Sequence, residues 1–130
     1  MNPSVLIIED DVNLLELAAL YLAPIFQTFL ADNGADGLRL ARQKRPDLIV
    51  LDMMMPGISG AEVIQALQED AGTRKIPVVV LSAFNFSEEE AAKIKAEPNV
   101  KDLLQKPFSF EKFGKRLTAI AEAASVSADP

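Results

Sequence analysis

The sequence predicts a doubly wound α/β domain built on a five-stranded parallel sheet in the order 2-1-3-4-5. Three observations lead there. Val5-Leu6-Ile7-Ile8, Leu48-Ile49-Val50-Leu51 and Val78-Val79-Val80-Leu81 are unbroken apolar runs, the pattern of strands buried on both faces. Stretches with helical apolar spacing separate them, so strand and helix alternate five times, and right-handed crossovers then place helices on both faces of a parallel sheet. Four of the five strands stop at polar groups, Asp10-Asp11, Asp52, Ser82 and Lys106, as open α/β sheets do where they bind ligands.

The first strand covers Val5 to Ile8 and runs into Glu9-Asp10-Asp11. Val12, Leu15, Ala19 and Leu22 make the stripe of the first helix, which Asp11 is placed to cap and Pro24 closes. Phe26 to Ala31 reads as a weaker strand, followed by an Asp32-Asn33-Gly34 turn and a helix begun by Ala35, Leu38 and Ala41. Arg42, Lys44 and Arg45 gather at the end of that helix, where the dipole favours cations, and Pro46 stops it.

The third strand ends at Asp52, and its loop carries Pro56, Gly57 and Gly60. Ser59 and Glu62 form a capping box for a helix that buries Gly60, Val63, Ile64 and Leu67. Ser87 and Glu90 repeat the box ahead of a shorter helix with Ala91 and Ile94, and Pro98-Asn99 is read as its stop, with Asn99 left-handed. Val100 to Gln105, the most polar strand, belongs at an edge. Phe110, Phe113, Leu117 and Ile120 form the last stripe; residues 1–122 are read as the domain and 123–130 as a flexible tail.

Composition narrows the chemistry. At 130 residues the length suits one domain, with 49% apolar and 25% charged residues. There is no cysteine and no histidine, so disulfides, thiolate sites and imidazole bases are all excluded. The net charge of −6 argues against nucleic-acid binding by this chain. No apolar run has the length of a membrane span and the start lacks the blocks of a signal peptide, which fits a cytoplasmic protein away from membranes. Charge is uneven: residues 1–70 hold 11 acids and 4 bases, residues 88–116 hold 6 acids and 7 bases. Lys93, Lys95, Lys101, Lys112 and Lys115 read as a solvated face or, alternatively, as a docking surface for an acidic partner.

The switch point of a 2-1-3-4-5 sheet falls between strands one and three, beside which Asp10, Asp11 and Asp52 converge. Three crowded carboxylates want a cation, and hard oxygen ligands select Mg²⁺ or Ca²⁺. Lys106 adds a point charge suited to a phosphoryl oxygen, and the Ser82 hydroxyl a donor for a second. Taken together, the residues describe a carboxylate nucleophile, Asp52, for phosphoryl transfer. Glu9 is read as a neighbouring charge only.

The motifs resemble those of the receiver domain of bacterial two-component response regulators: Asp10-Asp11 after a first strand, Asp52-x-x-Met55-Pro56-x-x-x-Gly60, Ser82-Ala83 and Lys106-Pro107-Phe108. Ala31-x-Asn33-Gly34 is similar to the family's second strand-to-helix turn. The likeness spans roughly residues 3–122 and implies a flavodoxin-like (βα)5 fold. It implies that Asp52 takes a phosphoryl group from a sensor histidine kinase or histidine phosphotransfer protein and passes the signal to an output domain or target. It further implies Mg²⁺ held by Asp11, Asp52 and the Met54 carbonyl, with Asp10 acting through water, and Ser82 and Lys106 on the phosphoryl oxygens. Receivers often pair through the face made by the fourth and fifth helices and the fifth strand, so a homodimer is compatible with the resemblance. The Lys106–Pro107 bond resembles one usually cis in the family.

One position departs from the pattern. Leu103 stands where the family carries an aromatic ring that moves with the hydroxyl residue, so Phe84 or Phe86, or the loop at Ser82 and Ala83 alone, is left to carry the switch. Met55 is expected in the core, and Met54 and Phe84 are expected to flank the phosphoryl pocket and hinder water. A haloacid-dehalogenase-like phosphatase wants an acid where Met54 stands, and a flavin protein wants a phosphate loop where Glu9-Asp10-Asp11 stands. The alternative to a phosphoacceptor is a receiver-like interaction domain working without phosphorylation.

Overall fold

A computed structural model describes residues 2–83, 86–106 and 109–128. Five strands alternate with five helices among them: β1 (Ser4–Ile8), α1 (Val12–Leu22), β2 (Gln27–Ala31), α2 (Gly34–Lys44), β3 (Leu48–Asp52), α3 (Gly60–Glu69), β4 (Val78–Ser82), α4 (Glu88–Lys95), β5 (Val100–Gln105) and α5 (Phe110–Ala128). The strands form one sheet, β2-β1-β3-β4-β5, with every pairing parallel. This is the predicted doubly wound order.

Side chains along a strand point to alternate faces, and the apolar runs split accordingly. Leu6, Ile8, Ile49, Leu51, Val78 and Val80 join α2 and α3 in one core. Val5, Ile7, Leu48, Val50, Val79 and Leu81 join α1 and α5 in the other. Both faces being covered explains why β1, β3 and β4 tolerate no polar alternation. At about 1.5–3 kcal/mol for each fully buried aliphatic side chain, these two layers dominate the stabilisation that holds the strand ends in place.

Local signals account for the helix boundaries. Both capping boxes form, Ser59 with Glu62 and Ser87 with Glu90. Helix α3 buries the expected Gly60, Val63, Ile64 and Leu67, whereas α4 buries no residue and leans on the core through Ile94. Beta5 is an edge strand, as read, and Met55 is in the core.

Three expectations are corrected. In α1 the buried stripe is Leu15, Ala18 and Leu22; Val12, at the first position of the helix, is 49% exposed, and Ala18 takes the place expected for Ala19. Asn99 is not left-handed; the one non-glycine residue with positive φ among those described is Arg45, which caps α2 at φ 44°. The Asn99 side chain instead is buried, accepting from Gln68 Nε2 at 2.8 Å and reaching the Ile64 carbonyl at 3.4 Å. Finally, the stretch expected as a tail from residue 123 continues α5 to Ala128; Ala121, Ala123 and Ala124 carry enough helix propensity to extend it without a full apolar stripe.

Candidate functional site

Three parallel strand ends meet at the carboxyl edge of the sheet. Asp52 is the last residue of β3 and is buried, with only 4% of its surface accessible. Its Oδ1 accepts the Met54 N–H at 3.2 Å. The chain beyond it is held back against the strand: Met53 N–H donates to the Leu81 carbonyl at 3.0 Å, and Gly60 N–H to the Met53 carbonyl at 3.1 Å. A Cβ at Gly60 would lie 2.7 Å from Met53 Cα, so only glycine lets α3 begin this close to the loop. Gly57, at φ 76°, supplies the left-handed turn between them.

Carboxylate oxygens of Glu9, Asp10 and Asp52 all lie within 4.8 Å of one another. Glu9 is as buried as the core, at 1% exposure, because its backbone still pairs with β2: Glu9 N–H donates to the Ala31 carbonyl at 3.0 Å. Asp10 faces solvent at the mouth of the cluster. Asp11 stands elsewhere. It is the N-cap of α1, its Oδ1 accepting Asn13 N–H at 3.1 Å and Leu14 N–H at 3.2 Å. The place foreseen for Asp11 beside Asp52 is taken by Glu9, which sequence reasoning had set aside. The signal that finds it was present: if Asp11 caps the helix, Glu9 and Asp10 are the acids left for the rim.

Lys106 follows β5, its N–H donating to the Ser82 carbonyl at 2.8 Å. Its ammonium reaches Glu9 Oε1 at 2.5 Å and Asp52 Oδ2 at 3.6 Å. Burial pushes the Glu9 carboxyl up, to about 7; Asp52 pushes the same way, and Lys106 with the Asp11 N–H only partly offsets both. Burial acts to lower the Lys106 pKa, but hydrogen bonding and attraction from Glu9 and Asp52 outweigh it and the net shift is upward. With Glu9 ionised, three carboxylates against one ammonium leave an excess of two negative charges at this rim. A divalent cation with hard oxygen preference matches that charge and donor set.

Ser82 ends β4, is buried, and pairs in register with Gln105, its backbone carbonyl accepting the Lys106 N–H. Ala83 is exposed. The Met54 side chain is 51% exposed at the rim. Leu103 pairs in register with Val80 and packs, half-buried, on the α2–α3 core. Phe84, Pro107 and Phe108 lie outside the described residues.

Residues 5–118 match the family model of the response regulator receiver domain. The chain belongs to that family. The receiver is 32% identical to the protein PilH of Pseudomonas aeruginosa, over 89% of this chain and 95% of that one. It is 40% identical to the polar-differentiation response regulator DivK of Brucella anthropi, over 69% of this chain and 74% of that one. Among solved structures it resembles the receiver domain of the Francisella response regulator 1452, with TM-score 0.83 and 28% identity, covering 94% of this chain and 98% of that one. It is therefore a signalling domain of two-component type whose rim carries an acidic cluster suited to Mg²⁺. No helix among the described residues is long and apolar enough to cross a membrane.

Proposed function

We propose that Asp52 is the phosphoacceptor of this receiver and that a sensor histidine kinase or histidine phosphotransfer protein is the donor. The observation that carries the reading is the convergence of the buried Asp52 with Glu9, Asp10 and Lys106 at one strand rim. A carboxylate oxygen of Asp52 attacks phosphorus, and the bond from phosphorus to the donor's imidazole nitrogen breaks. That nitrogen keeps the electron pair and takes up a proton, leaving an acyl phosphate on Asp52. Asp10, Asp52 and the Met54 carbonyl would hold Mg²⁺, with Glu9 behind them; Asp11, committed to the α1 cap, is not among them. The ion supplies charge compensation between the carboxylates and the incoming phosphoryl oxygens. Lys106 exchanges part of its contact with Glu9 and Asp52 for a phosphoryl oxygen, and the Ser82 hydroxyl donates to another.

The reading extends to output. With the core-packed Leu103 at the usual aromatic position, the loop after β4, from Ser82 and Ala83 onward, carries the change toward a target on the α4-β5-α5 side. The domain, with α5 running on past residue 122 to Ala128, acts in the cytoplasm and assists only its own phosphorylation and dephosphorylation.

Acetyl phosphate with Mg²⁺ tests this, followed by intact mass spectrometry. One phosphoryl adduct is expected, absent from Asp52→Asn and suppressed by a chelator. No adduct on the unsubstituted chain, or an adduct that survives Asp52→Asn, overturns the assignment.

A further inference from the structure

At the opposite end of the sheet, a cavity of about 660 Å³ opens between the starts of β4 and β5 and α5, and one of about 410 Å³ adjoins it beside Gln68 and Pro98. Lys75 and Lys101 line both, Arg116 lines the larger and Arg74 the smaller. Among the described residues no carboxylate lines either one, although Asp102 pairs with Arg116 and Glu97 accepts from Gln68 at their edges. On a chain of net charge −6 this is a local reversal of sign. Lys93 and Lys115 are each answered within their own helix, by Glu89 at 3.8 Å and Glu111 at 3.3 Å, and Arg42 by Asp70 at 3.3 Å. Among the described residues, Arg74 and Lys75 make no ion pair, and Lys101 Nζ donates only to the Pro98 carbonyl, at 3.2 Å. Arg116 uses one nitrogen on Asp102, at 2.6 Å, and a guanidinium has further N–H donors to offer.

The floor of the larger cavity is apolar, made by Pro77, Ala119, Ile120 and Ala123. Most of that floor lies past residue 118, where the family match ends, on the part of α5 that continues to Ala128. The cavity sizes fall within the roughly 300–1,000 Å³ of small-molecule sites. Clustered cations around an apolar floor focus a field on an anion and leave room for an uncharged body beside it.

We propose that this groove binds a small organic polyanion of nucleotide size, its phosphates between Lys75, Lys101 and Arg116 and its body on the Pro77–Ile120 floor. The site is separate from the acidic rim, so its ligand does not compete with phosphorylation of Asp52. Its occupancy instead bears on β5 and α5, the elements that flank the output side.

The test uses the full chain, ¹⁵N-labelled, in metal-free buffer at physiological salt, titrated with ATP and separately with tripolyphosphate. ATP is expected to shift amides around residues 75–77, 99–101 and 116–124 and to leave those of residues 9, 10 and 52 in place. Lys75→Glu with Lys101→Glu should weaken ATP by at least about tenfold, while the circular dichroism spectrum and melting point stay as in the parent. Absence of saturable shifts at millimolar ATP, or shifts that the double substitution leaves unchanged, overturns the site. Tripolyphosphate binding as tightly as ATP overturns the organic body and its apolar floor.

Discussion

The β1–α1 turn and the β3–α3 loop both bring acids to the same rim, but the first has three residues and the second seven. In the short turn every residue is committed by its distance from a strand on one side and a helix on the other. Glu9 still pairs with β2 and is carried inward, Asp10 is turned to solvent, and Asp11 must cap α1. In the long loop the acid belongs to the strand itself, and Gly57 and Gly60 absorb the reversal without touching it. A short turn therefore ties the site to helix capping, whereas a long loop keeps them apart. Both regions lean on Lys106, which spans from the Glu9 side to the Asp52 side.

Removing that link should give the largest effect. Lys106→Met leaves two buried carboxylates facing each other, and the expected loss is about 3 kcal/mol of unfolding free energy in metal-free buffer near pH 8. Urea unfolding measures it. A loss below about 1 kcal/mol would mean that Glu9 and Asp52 are held by something other than the ammonium.

A second effect distinguishes the turn from the loop by pH. The folded-state pKa of Glu9 is raised, from 4.5 to about 7, so between those values the native protein binds more protons than the unfolded chain. Stability from this group is present below pH 4.5 and is lost as pH rises through about 7, with a slope no steeper than about 1.4 kcal/mol per pH unit. Metal-free protein should show that decline between pH 5 and about 7.5, and Glu9→Gln should flatten it. An unchanged slope in Glu9→Gln would place the titrating group elsewhere.

How much of this was legible in the sequence follows from the same contrast. Sheet order, strand positions and both capping boxes came from runs and spacings that depend on neighbours in the chain. Asp52 was legible because a continuous apolar run ends on it, with no turn to count through. Glu9 was not, because Ile8 and Glu9 look like the end of a strand and the start of a turn, and the bond that carries Glu9 inward comes from Ala31. Val12 and Asn99 failed for a similar reason: the buried face of a helix and a buried amide are set by tertiary neighbours such as Gln68 and Ile64. Ala123 to Ala128 failed differently, since helix propensity without a stripe does not announce a helix.

Metal affinity sharpens the assignment within the turn. Glu9→Gln should weaken Mg²⁺ by about tenfold, whether Glu9 touches the ion or only supports Asp10 and Asp52. Asp11→Asn should change it by no more than about twofold, through loss of a nearby charge. The chain has no tryptophan, so calorimetry or amide NMR is the suitable readout. The reverse ranking would restore Asp11 to the metal site.

The smallest effect separates the cap from the charge at Asp11. Its Oδ1 accepts two N–H groups at the start of α1, the helix that seats Leu15, Ala18 and Leu22 against the sheet. Alanine removes that acceptor and should cost about 1 kcal/mol. Asparagine keeps a side-chain oxygen for capping and removes one negative charge beside an already acidic rim, so its cost should be near zero. The informative quantity is the difference between the two variants, because both lose the charge and only one loses the cap. Equal stabilities in urea would show that the backbone at Val12–Leu14 is satisfied without Asp11, and the link between turn length and acid placement would then fail at its first residue.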